Sequence, residues 1–149
     1  MRAVVQRVSR ASVRVGDEEL AAMERGLLAL VGVGSDDGPD DARELARKLV
    51  HLRVFPDDEG RMNRSLLEVG GTLGVVSQFT LYGDVRKGRR PYFGGAAAPE
   101  RAAPLIEAVV EAARAEGAPV VTGRFRANME VDLVNDGPVT LLLDTRGGF

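Results

Sequence analysis

Apolar residues recur at helical spacing in only two stretches of this chain, which limits it to a fold with two substantial helices. Ala42, Leu45, Ala46, Leu49 and Val50 form one stripe, and Leu105, Ile106, Val109, Val110 and Ala113 form the other. Gly38-Pro39 followed by Asp40 and Asp41 opens the first helix. Proline's fixed φ suits a first turn, and carboxylates there offset the positive end of the helix dipole. Pro99 and Glu100 open the second helix, while Gly117 and Pro119 stop it. Elsewhere the apolar residues come in strand-length runs at residues 4–8, 12–15, 26–34, 53–55, 72–81, 120–125, 129–135 and 139–144. Two helices against a mostly antiparallel sheet make an α+β domain, with no internal repeat or low-complexity linker.

A chain of 149 residues is the size of one domain, so residues 1–149 are read as a single unit. It has no cysteine, which removes disulfides, a thiolate nucleophile and cysteine metal sites. Arg2, Arg7 and Arg10 interrupt the first apolar segment, and no long apolar run exists. Neither membrane spanning nor secretion is therefore expected, and a cytoplasmic location is the default. The formal net charge of -2 argues against coating DNA or RNA non-specifically, because that mode needs a broad basic surface. It leaves room for a local RNA contact at Arg86-Lys87-Gly88-Arg89-Arg90, inside a long loop carrying Tyr82, Tyr92 and Phe93.

The catalytic inventory is sparse. His51 is the only histidine, and it falls on the arc of Arg47 and Lys48, where a solvated histidine at a helix end is expected. No zinc constellation is visible, and no cofactor is expected. Thr80 is a candidate nucleophile, but its hydroxyl is weak without an adjacent base, and none is apparent. Ser77-Gln78-Phe79-Thr80 by itself reads as a strand end with hydrogen-bonding side chains. Gly137-Pro138 by itself reads as a turn between two strands.

Two strings taken together say more: Ser77-Gln78-Phe79-Thr80-Leu81 and Asn135-Asp136-Gly137-Pro138-Val139-Thr140. In that order, with Arg2-Ala3-Val4-Val5-Gln6-Arg7-Val8 at the start and Thr122-Gly123-Arg124-Phe125 between them, the chain resembles the D-aminoacyl-tRNA deacylases. The resemblance implies a barrel-like sheet and hydrolysis of the ester joining a D-amino acid, or glycine mischarged on tRNA(Ala), to the 3′ adenosine of tRNA. In that family the 2′-hydroxyl of the adenosine is held to drive the reaction, which requires little of the side chains beyond orientation and an oxyanion donor. The resemblance assigns the oxyanion donor to the backbone N–H of Phe79 or its neighbour, and a binding role, with a lesser chemical one, to Thr80. Ser77 and Gln78 position the ribose and aminoacyl groups.

The family also has a cis bond at Gly137-Pro138, inserted into the pocket of a partner subunit. The resemblance therefore implies a homodimer in which those two carbonyls hold the substrate ammonium and an L side chain is rejected by clash. Arg7 is expected to hold that motif, although an ordinary strand-face arginine would look the same. Phe125 and Met129 match the adenosine pocket, and core packing is the alternative for both. The loop from Tyr82 to Gly95 is more basic and aromatic than the resemblance leads one to expect, and Asn128 also departs from it. Two rival readings remain: a non-catalytic module that binds an RNA end or a nucleotide, and an esterase using Thr80 as nucleophile.

Overall fold

The computed structural model describes residues 1–149. In chain order the elements are β1 (Arg2–Val15), β2 (Glu18–Met23), β3 (Gly26–Gly32), α1 (Pro39–His51), β4 (Phe55–Pro56), β5 (Met62–Arg64) and α2 (Leu66–Val69). They continue with β6 (Thr72–Ser77), a 3-10 turn (Phe79–Tyr82), α3 (Pro99–Ala115), β7 (Val120–Thr122) and β8 (Glu130–Asp144). The main sheet runs β2-β1-β3-β6-β7, with β8 on the remaining edge of β1. Strand β1 pairs antiparallel with β2, β3 and β8, whereas β3, β6 and β7 run parallel. The parallel arm follows from the crossovers: a helix lies between β3 and β6 and again between β6 and β7. The result is an α+β fold with a barrel-like mixed sheet and two main helices.

Strand β3 is buried on both faces, which explains its continuous apolar run. Leu27, Ala29, Val31 and Val33 face α1 and α3, whose stripes lie in the same cluster. Leu28 faces the other way, joining Val8, Ala11, Val13, Ala21, Met23 and Val76 inside the curl of the sheet.

Three expectations are revised. The runs at 4–8 and 12–15 belong to one strand, because Ser9 and Arg10 are both exposed at a register shift and the alternation changes phase there without the chain leaving the sheet. The runs at 129–135 and 139–144 likewise belong to β8. The run at 72–81 is a strand only to Ser77, after which the chain coils into the 3-10 turn. Strands β2 and β5 and the one-turn α2 have no counterpart in the sequence pattern; α2 is held by a capping box in which Ser65 and Glu68 bond each other's backbone N–H groups. His51 ends α1 as expected, exposed, with Nε2 3.1 Å from Glu116 Oε2.

A charged latch ties the chain ends to the loop before α1. The Met1 ammonium lies 2.9 Å from Asp37 Oδ2, with side chains 0% and 1% exposed respectively. Gly34 N–H donates to Asp37 Oδ2 at 2.6 Å, and Arg146 Nε donates to Oδ1 at 3.0 Å. Arg146 also reaches Asp41, and Thr145 Oγ1 bridges the Met1 ammonium and Asp41.

Candidate active site

Strand β6 delivers the first motif to a cavity. Gln78 N–H donates to Val31 O at 2.7 Å, the last tie to β3 before the chain turns. Gly32 permits this turn, since a Cβ there would sit 2.9 Å from Gln78 O and 3.2 Å from Leu81 Cβ. The cavity encloses about 590 Å³. Ser77, Gln78, Phe79 and Thr80 form one wall, Val31 and Val33 the floor, and Pro99, Ala102 and Ile106 of α3 a second wall. The loop from Phe125 to Met129 closes it. Thus six of the nine anticipated site residues meet in one place.

Thr80 has no base beside it: the side-chain nitrogen of Gln78 donates to its Oγ1 at 2.9 Å, and an amide does not take protons. Phe79 is 59% exposed and rests edge-on against Phe93 at 5.0 Å between centroids, which tethers the long loop to the pocket rim. In that loop the backbones of Asp84 and Tyr92 exchange hydrogen bonds, leaving Lys87, Arg89 and Arg90 exposed around its tip. Arg86 is held back by Asp84; its side-chain and backbone bonds bring that carboxyl down to about 2. Met129 lines the cavity and also packs into the sheet's inner cluster. Phe125 stands between this cavity and a smaller one of about 90 Å³ behind it.

Arg7, Gly137 and Pro138 do not line this cavity. They meet one another instead. Gln6 pairs with Thr140 and Val8 with Asn135, so residues 136–139 bulge out opposite Arg7 alone. The Gly137-Pro138 bond is cis. Arg7 spans the bulge, donating from Nε to Asp136 O at 2.9 Å and from Nη1 to Val54 O at 2.7 Å. Asn135 closes its base: its Oδ1 accepts from Val139 N–H at 2.7 Å, and its amide donates to Val139 O and Thr140 Oγ1. Gly137 and Pro138 are left exposed at the tip. Asn135 was not anticipated as a site residue, although asparagine before a turn is the side chain suited to bonding local backbone.

The family model for D-Tyr-tRNA(Tyr) deacylase matches residues 4–144. The chain belongs to this deacylase family. A D-aminoacyl-tRNA deacylase from Anaeromyxobacter dehalogenans (strain 2CP-C) is 61% identical over 149 residues, covering 100% of both chains. One from Roseiflexus sp. (strain RS-1) is 60% identical, covering 97% of this chain and 94% of its own. Among solved structures, the c-Myc DNA unwinding element binding protein superposes with a TM-score of 0.92 at 39% identity, covering 97% of this chain and 99% of that one. A probable eukaryotic D-amino acid tRNA deacylase shares the fold, with a TM-score of 0.81 at 21% identity, covering 95% of this chain and 97% of that one. Membership makes the deacylase fold and hydrolase chemistry properties of this chain and places it in translation quality control. No helix is long and apolar enough to cross a membrane.

Proposed function

We propose that this chain hydrolyses the ester joining a D-amino acid, or glycine, to the 3′ adenosine of tRNA, with the adenosine's own 2′-hydroxyl assisting the reaction. One observation carries the reading: the cavity is lined by no histidine, carboxylate, lysine or tyrosine, and its single ionisable side chain is Arg126. A guanidinium stays protonated and cannot act as a base. A hydroxyl vicinal to the scissile ester is already in place, so the protein has only to orient the substrate and stabilise the oxyanion. The Phe79 amide opens the 3-10 turn, where N–H groups lack partners within the turn, and is the donor assigned to that oxyanion. Ser77, Gln78 and Thr80 hold ribose and aminoacyl groups; Phe125 and Met129 hold the adenine.

Chirality is sorted by a second copy of the chain in a cytoplasmic homodimer. Gly137 and Pro138 are exposed outside their own chain's cavity and are braced by Arg7 and Asn135, an arrangement suited to entering a partner's pocket. Val134 and Leu142, exposed apolar residues of β8, suit the accompanying interface. Backbone carbonyls at the bulge tip would accept from the substrate ammonium and turn an L side chain into the backbone, which excludes by clash. Glycine, which is achiral, is not excluded in this way.

Gly137→Ala tests that close approach. Gly137 has φ 140°, and an added Cβ would lie 2.7 Å from Val139 Cγ2 and 3.1 Å from Arg7 Nη2. The expected result is at least about a tenfold loss of D-tyrosyl-tRNA turnover at a stability cost of about 1–3 kcal/mol. Full activity with an unchanged melting curve would show that the bulge does not approach substrate.

The function itself is tested by hydrolysis of D-tyrosyl-tRNA and L-tyrosyl-tRNA by purified, chelator-treated protein. Rapid loss of the D form alone is expected. Equal loss of both would make this a general esterase, and loss of neither would leave an RNA-end binding module.

A further inference from the structure

Arg126 is the chain's only non-glycine residue with positive φ, at 66°. Ala127 N–H donates to Arg124 O at 3.2 Å, so residues 124–127 form a hydrogen-bonded turn with Arg126 in its third position. A positive φ in that position is the type II geometry, which glycine occupies at no steric cost. An arginine held there is strained, and backbone strain of this kind gathers at ligand-binding sites. Arg126 is also the only ionisable side chain lining the cavity. Its exposed guanidinium forms neither an ion pair nor a hydrogen bond within the protein, whereas Arg124, two residues earlier, is taken up by Glu18 at 3.1 Å.

We propose that Arg126 is a phosphate-binding residue at the mouth of the pocket, engaging the phosphodiester on the 5′ side of the terminal adenosine. This rests on the function proposed above. The ligand class follows from charge. The aminoacyl end carries an ammonium, which a guanidinium repels; adenine and ribose are neutral; the phosphodiesters are the substrate's only anions near the pocket. A planar guanidinium can meet two phosphate oxygens at once, and a chain of net charge -2 gains from a cation placed at the entrance. The turn presents that cation from the same loop that supplies Phe125 and Met129 to the pocket wall.

Arg126→Gly separates this role from folding, because glycine relieves the positive φ and the variant is expected to melt no lower than the parent. For D-tyrosyl-tRNA, KM should rise about tenfold or more, with the loss appearing in KM rather than kcat. The dependence of log KM on log salt should flatten by about 0.7, the contribution of one phosphate on a single strand. Two small substrates identify the group engaged: the 3′-D-tyrosyl esters of adenosine and of adenosine 5′-monophosphate. The parent should prefer the phosphorylated ester, Arg126→Gly should lose the preference, and Arg126→Lys should keep part of it.

An unchanged KM and salt slope in Arg126→Gly would overturn the proposal. So would an equal loss on both small esters, which would put Arg126 against the adenosine or aminoacyl group. If the parent failed to hydrolyse D-tyrosyl-tRNA, the proposed function would fall, and salt-dependent binding of deacylated tRNA to parent and Arg126→Gly would still decide whether Arg126 meets phosphate.

Discussion

Asp37→Asn is expected to lower the unfolding free energy by about 3–5 kcal/mol, the usual cost of removing one member of a buried charge pair. For a chain of this size that corresponds to a fall in Tm of roughly 6–20 °C. The Met1 ammonium is fully buried, and without Asp37 its remaining hydrogen-bond partner is the neutral Thr145 hydroxyl at 2.6 Å. Gly34 N–H and Arg146 lose charged acceptors at the same time. Asp40→Asn is the matched control: Asp40 is 95% exposed beside Arg43, and its loss should stay within about 0.5 kcal/mol. Thermal melts and urea titration of both variants check this, and equal small effects would mean that the latch contributes nothing. Acid acts on the same region. Burial alone would raise the carboxyls of Asp41 and Asp144, but bonds from Gly38 and Thr145 to the first, and from Arg146 and Arg2 to the second, hold both below the ordinary range. Their folded values lie below their unfolded ones, so the stability they add is present above the ordinary carboxylate range and disappears as pH falls through the folded values.

A D-tyrosyl-tRNA ending in 2′-deoxyadenosine is expected to be hydrolysed about 10²–10⁴-fold more slowly than the ribose form, the usual contribution of a positioned proton-transfer group. Thr80→Ala, by contrast, should retain hydrolysis within about tenfold, as for the loss of a single uncharged binding contact. The difference follows from what surrounds the ester. Thr80 accepts a bond from Gln78 and has no base to activate it, and Arg126 cannot serve as one. Single-turnover rates on both substrates, with both proteins, check the pair. A Thr80→Ala protein that folds but falls to the uncatalysed rate, or a deoxy substrate cleaved at full speed, would instead favour a threonine nucleophile and a trappable acyl-enzyme.

Much of this was legible in the chain because its signals are local. The stripes of α1 and α3 repeat every three to four residues, and their proline starts and the glycine that follows α3 are written beside them. The Ser77 and Asn135 strings carried the core of the family resemblance. Local signals failed where one strand changes phase. At Ser9-Arg10 two exposed neighbours break the alternation as a turn would, and only the partner strands show that the chain stays in the sheet. The same failure at residues 136–139 made β8 look like two strands, when its excursion is braced from across the sheet by Arg7.

By itself the sequence determined the two helices, the apolar strand runs, a catalytic inventory too poor for a histidine or cysteine mechanism, and membership of the deacylase family. Tertiary structure alone decided that β3, β6 and β7 run parallel, that residues 77–80 and 125–129 close on one cavity, and that Arg126 stands in it as the single charge. It also decided that Asp37 is buried, which nothing around Asp36-Asp37 announces, because its partners Met1 and Arg146 come from the two ends of the chain. The physical reason is common to all of these. Periodicity and capping are energies between neighbours in sequence, whereas pairing direction, convergence and burial depend on which distant segments the packed core brings together.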